Sequence, residues 1–403
     1  MKGKYLLVFI SLCGLASGAL GICMNTAGLF YKPIAEELGV GIGSVSLTMT
    51  IFTIASSFTA LIAPKVLKEK IVKIAILVST ILLGGGTFLM SVSSSVLGLY
   101  VGSVMRGLGA GMVGFVLITS IINRWYYKSH GLITSIAVAF SGIPGVILSP
   151  ILSSIINTSG WRTAMMVSAV LIVIVCLPAV FLVTVSPQTQ GLEPYGYEEF
   201  LREKEKGNIR TISAEGEFFS YKDKEFILAV LFVIAVCLAA SLPNYMPAYA
   251  ESLKMTSISG IILSVTLAGN ICSKILFGIV SDKLSAKVAI MTYACICTLS
   301  LVLLILHGNP LLILIAAFSY NFTAANSSVG ISIITSDLFG ESNYSKVYPM
   351  LSFIGSYAMA FSSASIGYMF DIFGSFVPVL VAIMVIQISI VLITFNAYRL
   401  KKA

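Results

Sequence analysis

Ionisable residues are scarce in this 403-residue chain, and acidic residues are missing from the middle of its long apolar runs. Asp, Glu, Lys and Arg make up only 10% of the residues, and the only histidines are His130 and His307. A buried acid or histidine chain is what a proton relay or an organic-cation site needs inside a membrane. Because every Asp and Glu falls in a loop or at the end of an apolar run, the sequence disfavours both kinds of site.

Other absences exclude further classes of protein. The seven cysteines are scattered through apolar segments, and their spacing supports neither a zinc site nor a disulfide framework. Neither H-E-x-x-H nor G-x-S-x-G occurs, so no nucleophile or metal constellation indicates an enzyme. No basic patch combines with exposed aromatic residues on a soluble domain, which disfavours a nucleic-acid partner. We therefore expect no catalytic site, metal or cofactor.

Long apolar runs make up most of the chain. Hydrophobic residues make up 57% of the sequence and the mean hydropathy is +0.99. A helix needs about twenty mostly apolar residues to cross the hydrocarbon core. The sequence predicts an all-α integral membrane protein with twelve transmembrane helices in two six-helix halves, the spans being 5–31, 42–64, 73–92, 97–122, 131–156, 163–185, 226–249, 256–281, 287–307, 310–336, 347–370 and 374–398.

A charged segment separates the two sets of six spans. Fifteen charged residues fall between Ser186 and Glu225, which predicts an N-terminal half (1–185), a cytoplasmic linker (186–225) and a C-terminal half (226–403). An even number of spans puts both termini on one side, and the excess of Lys and Arg places that side in the cytoplasm. In this prediction the outer loops contain only three of the Lys and Arg residues, namely Lys32, Arg162 and Lys254. The expected location is the plasma membrane, as a multi-pass protein.

Arg106 is one of two cations deep in the predicted spans. It begins the segment Arg106–Gly111 in span four, and a cation at that depth costs about 2.5–3.5 kcal/mol on insertion scales unless it gains a partner. Gly107 and Gly111 allow close helix approach. Two roles are open: Arg106 bonds backbone carbonyls to couple helices, or it contacts a bound substrate.

Lys274, in span eight, is the second deep cation. Asn270 stands one turn earlier on the same helix face. A lysine beside an amide is suited to an anion, and the spans hold no acidic residue to neutralise it. Lys274 could instead extend its amine to the nearby cytoplasmic surface. The binding role is the favoured one.

The remaining polar residues of the spans are weaker candidates. Any of them could bond across helices, where such bonds average about 0.6 kcal/mol. In span five, a proline between two glycines predicts a kink or tight packing, at Gly142, Pro144 and Gly145. The other candidates are Asn25, Asn244, Tyr245, Tyr249, Tyr320, Asn321 and Asn326.

The two halves and their linker resemble the major facilitator superfamily of secondary transporters, over the whole chain. Gly278 to Leu284, which includes Asp282, is similar to the family's loop signature after span eight. Arg106 to Gly111 resembles its span-four signature, and Ser141 to Gly145 its span-five Gly-Pro pattern.

Further motifs resemble the oxalate/formate antiporter and monocarboxylate transporter branch. They are Asn123 to Tyr126 before Gly131, Gly160 to Arg162, Gly191 to Gly196, and Asn270 to Lys274. The position of Lys274 is usually Arg in that branch and is associated with the substrate carboxylate; Lys keeps the charge and loses the bidentate fork. The antiporter's span-eleven lysine for a dianion has no counterpart in 347–370.

These observations predict a carrier that works by alternating access around a mid-membrane site in the lipid bilayer. The expected substrate is a small organic anion, with a monocarboxylate as the first choice, moved with protons or against a second anion. The nearest alternative carries a neutral or amphipathic compound and uses Arg106 and Lys274 structurally. A membrane-embedded enzyme and a non-transporting sensor are the competing classes.

Overall fold

The computed structural model describes residues 3–127, 130–197, 223–306 and 308–400, and these residues are almost entirely helical. The α-helices are α1 (Gly3–Ala16), α2 (Tyr31–Leu38), α3 (Ile42–Ile62), α4 (Glu69–Val92), α5 (Val96–Val113), α6 (Phe115–Trp125), α7 (His130–Ala139), α8 (Ile143–Leu182), α9 (Lys224–Ala239), α10 (Met246–Ser252), α11 (Thr256–Lys283), α12 (Ala286–Leu306), α13 (Pro310–Tyr320), α14 (Thr323–Ala325), α15 (Ile331–Phe373) and α16 (Val377–Leu400). The predicted all-α fold is confirmed.

Ten helical segments among the described residues are long and apolar enough to cross a membrane. One of them, α8, turns at Gly160, whose φ of 83° is left-handed, so this helix covers the second part of the fifth predicted span and most of the sixth. Helix α15 likewise turns at Gly340, whose φ of 69° is left-handed. The eleventh predicted span, 347–370, lies inside α15 and is not among the ten. A multi-pass membrane protein is thus confirmed, and the count of twelve spans stays a prediction.

The chain divides into two compact units. Unit 1 comprises Met1–Leu38 and Ile51–Thr211, and unit 2 comprises Gly39–Thr50 and Ile212–Ala403. Helix α3 is therefore shared, with its first residues in unit 2 and its remainder in unit 1. Most of the predicted linker, 198–222, lies outside the described residues, and the orientation of the termini stays a prediction.

Small residues let the helices of unit 1 pack at backbone contact distance. Helix α4 packs on α5 and α8. A Cβ atom at Gly107 would stand 2.4 Å from the carbonyl oxygen of Phe52, and one at Gly111 would stand 2.0 Å from that of Ser56. Any side chain at these two positions of α5 would push α3 away. Such packing holds helices together in lipid, where apolar burial between helices provides little drive.

An ion pair fixes the turn within α8. Glu37 of α2 accepts hydrogen bonds from Trp161 Nε1 at 2.6 Å and from Arg162 Nε at 2.9 Å. The Arg162 guanidinium also donates to the carbonyl oxygens of Ser91 and Ser93, at 2.9 and 2.7 Å. The Gly160–Arg162 motif thus joins α2, the end of α4 and the second part of α8.

The segment after α8 folds back onto unit 1. Tyr195 forms an isolated parallel β-bridge with Tyr126, with hydrogen bonds of 2.8 and 3.0 Å to the backbone of Trp125 and Tyr127. Tyr5 packs edge-on against Trp125 and Tyr195, with ring centroids 5.6 and 5.9 Å apart. The motifs around 123–126 and 191–196 therefore meet as one aromatic cluster, which ties the start of the predicted linker to α1 and α6.

Unit 2 has its own apolar core. Helix α9 packs on α15 and α16, and α12 packs on α16 and α13. The core includes fully buried aromatic residues, among them Phe232, Phe277 and Tyr293. The rings of Phe277 on α11 and Tyr293 on α12 meet edge to face at 5.1 Å.

The N-terminus of α3 is capped by a carboxylate from the end of α15. Asp371 accepts hydrogen bonds from the backbone N–H groups of Ile42 at 2.9 Å and Gly43 at 2.7 Å. The first N–H groups of a helix have no intrahelical acceptor, and the positive end of its dipole favours a negative charge. Glycine is required here because a Cβ atom at Gly41 would stand 2.3 Å from Asp371 Oδ2.

Glu37→Gln is expected to destabilise unit 1, because Gln keeps the size of Glu37 and loses the charge that Arg162 binds. We expect a loss of about 0.5–1 kcal/mol, near the top of the range for exposed pairs because the carboxylate is bound by two side chains. Thermal unfolding at low and high salt measures it. Glu36→Gln is the control, since the Glu36 side chain is 68% exposed and its one ion pair among the described residues is with Lys32, at 3.7 Å. Equal effects of the two substitutions would contradict the assignment.

Asp371→Ala is expected to speed hydrogen exchange at the amides of Ile42 and Gly43, because both N–H groups lose their acceptor. Asp371→Asn keeps one acceptor oxygen without the charge, so it should give an intermediate rate. Hydrogen exchange followed by mass spectrometry of peptides covering 39–50 measures both variants. Unchanged exchange in the Ala variant would show that this cap does not protect α3.

Candidate functional site

Helices in both units break at points where polar residues stand. In unit 1, α1 continues as a π-helical turn (Ser17–Ile22) and, after a turn, as a 3₁₀ turn (Ala27–Leu29). In unit 2, α9 is followed by a 3₁₀ turn (Leu242–Tyr245), and α13 ends at Tyr320. Each break leaves backbone groups without helical partners, and in a membrane these must be satisfied by the protein. Most of the candidate residues serve this purpose.

Arg106 is bound to helix α1's extension in unit 1. The side chain is 8% exposed, and its guanidinium donates to the carbonyl oxygen of Cys23, directly after the π turn. It also contacts Met90 Sδ at 3.2 Å and lies 5.8 Å from the Phe52 ring centroid. Only Nε lacks a partner among the described residues. These contacts match the helix-coupling role.

Asn25 and the Gly-Pro motif meet at a second break in unit 1. Helix α7 ends at Ala139 and α8 begins at Ile143, so Pro144 stands at the start of a helix, where its missing N–H is harmless. Asn25 Nδ2 donates to the carbonyl oxygen of Ser141 in this break, at 2.7 Å. Gly21 allows the approach, because a Cβ atom there would stand 2.9 Å from the Pro144 ring. The helix thus breaks at 140–142, just before Pro144, where a kink or tight packing was predicted. The extension of α1 packs closely against this break at Gly21.

Three predicted site residues of unit 2 also bond to carbonyl oxygens of neighbouring helices. Tyr245 Oη donates to Ser363, Tyr320 Oη donates to Ala239 at 2.6 Å, and Asn321 Nδ2 donates to Thr266 at 2.6 Å. None of the three side chains is more than 2% exposed. Their polar atoms are therefore occupied in holding the broken helices together.

Asn270 and Lys274 differ from these residues, because their side chains have no described hydrogen-bond partner. Both side chains are half-buried on α11, one turn apart. Neither side chain forms a hydrogen bond or ion pair with any residue that the structure describes, whereas the adjacent face of α11, with Ser273 and Phe277, is fully buried against Tyr293 of α12. Unit 2 thus presents an amide and an ammonium group side by side, with no described carboxylate to neutralise the charge.

Asn270 and Lys274 together offer N–H donors and one positive charge, which is the donor set that a carboxylate or another small anion accepts. A further half-buried amide without a described hydrogen-bond partner is Asn244, in the 3₁₀ turn Leu242–Tyr245, which packs on α11.

The loop signature after α11 contributes less to the described geometry. Gly278 has open space where a Cβ atom would lie, so close packing does not require glycine there. The side chain of Asp282 lies outside the described residues. The glycine of α11 that does pack closely is Gly269, where a Cβ atom would stand 2.1 Å from the carbonyl oxygen of Phe318.

We predicted no site residue in helix α16, yet a polar residue stands at its centre. Gln387 is completely buried and bonds to Thr323 of α14 at 3.3 Å. The signal was visible as a lone amide within a long apolar helix, Val377–Leu400. No sequence pattern predicted the π turn Asn326–Gly330 beside it, because such turns depend on tertiary packing.

The known proteins to which this chain is similar are membrane transporters, in agreement with its helical fold. The chain is similar to YhjX, an uncharacterized MFS-type transporter of Escherichia coli (strain K12), with 23% identity over 340 residues, covering 83% of this chain and 80% of the relative. Among solved structures it is similar to the nucleoside transporter NupG (TM-score 0.74, 13% identity, covering 98% of this chain and 100% of that one). It is also similar to a bacterial homolog of the human lysosomal transporter Spinster (0.73, 14%, 99% and 98%) and to a D-xylose-proton symporter (0.70, 13%, 98% and 97%).

The family follows from these matches and from the fold. The narrower oxalate/formate and monocarboxylate branch stays a prediction, since the solved structures share only the fold. The model of the Major Facilitator Superfamily matches residues 12–363, most of the chain. The helical membrane fold and this match together establish that the chain belongs to the Major Facilitator Superfamily, whose members are carriers and not enzymes.

Proposed function

We propose that this carrier transports a small organic anion, with a monocarboxylate as the expected class, and that Lys274 provides the charge contact. The observation that carries the proposal is the unpaired state of Asn270 and Lys274 among the described residues of a membrane helix. A cation in a membrane span is costly and usually pairs with another group. A transported anion is the partner that would satisfy Lys274 during part of each cycle.

The contrast with Arg106 supports this assignment. Arg106 already has a carbonyl oxygen and an aromatic ring as partners, so a bound anion would have to displace them. Lys274 has no contact of this kind with any described residue. An ammonium group on a flexible stem can also follow an anion more readily than a bound guanidinium can. We assign Arg106 to helix coupling in unit 1.

Asn270 would orient the bound anion. A lone ammonium group binds any small anion, whereas a neutral amide donor one helical turn away selects the position of the second carboxylate oxygen or of a hydroxyl group on the substrate. We propose that transport proceeds by alternating access in the plasma membrane, together with protons or in exchange for a second anion; membership in a family of secondary carriers supports alternating access.

Lys274→Gln is expected to reduce carboxylate uptake about tenfold to a hundredfold, because a charge-assisted hydrogen bond contributes about 1.5–3 kcal/mol. Lys274→Arg keeps the charge and should retain most of the transport. Uptake of a panel of labelled monocarboxylates and dicarboxylates into proteoliposomes, with and without a pH gradient, measures substrate class and coupling together.

The matched control is Lys283→Ala, which removes an exposed lysine from the last turn of the same helix. It should leave uptake unchanged. Full carboxylate uptake by folded Lys274→Gln protein would overturn the role of Lys274. Uptake of neutral compounds alone, insensitive to the substitution, would favour the alternative carrier of neutral or amphipathic molecules.

Arg106→Met is expected to lower stability more than substrate affinity. The substitution keeps an unbranched side chain of similar reach and removes the donor to Cys23, so we expect a loss of about 1.5–3 kcal/mol in unfolding free energy. The KM for the transported anion should change less than threefold. Thermal unfolding in detergent and uptake kinetics measure the two effects. A normal unfolding temperature combined with a large rise in KM would instead make Arg106 a substrate contact.

A further inference from the structure

A groove with apolar walls runs along the surface of unit 2 between α12 and α16. It has a volume of about 410 Å³, and its lining includes Cys295, Leu299 and Val302 of α12 and Ile388 and Leu392 of α16. Leu299 and Leu392 are 62% and 58% exposed. Both helices are long and apolar enough to cross a membrane. The groove therefore lies where the hydrocarbon chains of the bilayer reach the protein.

The lining has little to offer a polar ligand. Among the described lining residues, the one hydroxyl group belongs to Thr298, and it donates to the carbonyl oxygen of Ala294 at 2.8 Å. The Cys295 thiol is a weak donor. A polar group placed here would lose its water without gaining a partner, whereas a hydrocarbon chain would gain close contacts along both helices. The lining thus suits a hydrocarbon occupant.

Two cations stand beyond one end of the groove. Lys287 Nζ lies 4.5 Å from the ring centroid of Phe395, and this ring follows Leu392 by about one turn of α16. Arg399 stands one turn beyond Phe395 and is exposed. Neither cation forms an ion pair with a carboxylate that the structure describes. This end of the groove is therefore complementary to a negative charge.

The acidic residue that contacts this end of α16 is engaged elsewhere. Asp337 of α15 accepts a hydrogen bond from Tyr398 Oη at 2.8 Å. Its carboxylate thus holds α15 to α16 and is not paired with Arg399.

The spacing along α12 matches one leaflet of a bilayer. Positions 287, 298 and 302 fall on one face of this helix. Val302 is fifteen residues from Lys287, a distance of about 22 Å at the helical rise. Half of a bilayer is about 20–22 Å thick, headgroups included. A single lipid of one leaflet can therefore place its headgroup at Lys287 and a chain in the groove.

We propose that the α12–α16 groove binds one anionic phospholipid, with an acyl chain between the helices and the phosphate group at Lys287 and Arg399. Basic side chains at the membrane surface attract acidic headgroups, whereas a zwitterionic headgroup brings an ammonium group of its own. The Phe395 ring would hold the Lys287 amine at the mouth of the groove. The proposal does not depend on the transported anion at Lys274.

A second copy of the chain is the competing occupant. Packed on the same groove about a two-fold axis along the membrane normal, it would present the same patch in return. Four cations would then meet at one end of the interface without a described carboxylate between them. This charge disfavours the dimer and favours the lipid.

Native mass spectrometry of the full-length protein in detergent tests the proposal. Phosphatidylglycerol and phosphatidylcholine with the same acyl chains are titrated separately, and the retained lipids are counted. We expect one phosphatidylglycerol to bind with higher affinity than any further lipid, and phosphatidylcholine to show no such first site. Equal affinities for the two lipids would overturn the proposal.

Substitutions locate the charge contact. Lys287→Gln removes the charge and should weaken the first phosphatidylglycerol about fivefold, which is the contribution of one cation near an acidic lipid surface. Arg399→Gln should act similarly. The matched control is Lys70→Gln, which removes an exposed lysine from the first turn of α4 in unit 1 and should leave the affinity unchanged. Equal losses in the control and in Lys287→Gln would show a response to total charge alone and would overturn the site.

A photoreactive diazirine in the acyl chain of phosphatidylglycerol locates the bound lipid. Cross-links should fall in peptides that contain 295–302 and 388–392, and Val302→Trp, which fills the groove, should remove them. Cross-links spread evenly over the other membrane helices would contradict the proposal, and this result is decisive even if Val302→Trp does not fold. A native dimer that Val302→Trp dissociates would show that a second copy fills the groove instead of a lipid.

Discussion

The constraint on which this structure depends is that lipid supplies no hydrogen bonds. A backbone group freed by a break in a membrane helix must find its partner within the protein. The chain breaks several of its helices, and side chains from neighbouring segments bind the backbone at three of these breaks. Arg106, Asn25 and Tyr320 bind the carbonyl oxygens of Cys23, Ser141 and Ala239. Polar residues in the spans are therefore mostly part of the packing.

The exceptions to this pattern are informative because they are few. Asn270 and Lys274 are half-buried donors without described partners, and Asn326 and Gln387 are buried acceptors in the same condition. The first pair has the donor set that a small anion accepts. Both pairs lie in unit 2, whereas the deep arginine of unit 1 already binds a carbonyl oxygen and lacks a described partner only at Nε. Under the proposed function, the charge contact to the substrate lies in unit 2, and the polar side chains of unit 1 serve mainly to pack its helices.

The motifs that suggested a particular transporter branch have physical roles in the frame of unit 1. Trp161 and Arg162 bind Glu37, and Tyr195 pairs with Tyr126 beside Trp125. Glu69 accepts hydrogen bonds from the backbone of Val185 and the hydroxyl group of Thr189, at 2.8 and 2.9 Å. Residues that hold an architecture together can be shared by carriers of different substrates. The same motifs therefore say more about the packing of unit 1 than about the compound carried.

The sequence alone determined the helical membrane fold, the approximate spans and the two deep cations, because apolar length and isolated charges are properties of local composition. It also indicated the break at Pro144, since proline lacks an N–H group. Tertiary structure decided which polar residues are free. Lys274 and Arg106 look alike in sequence, but Cys23 offers its carbonyl to Arg106 only because α1 loosens into a π turn beside α5. Gln387 and Asn326 are more than sixty residues apart, and only helix packing brings their amides to the same break.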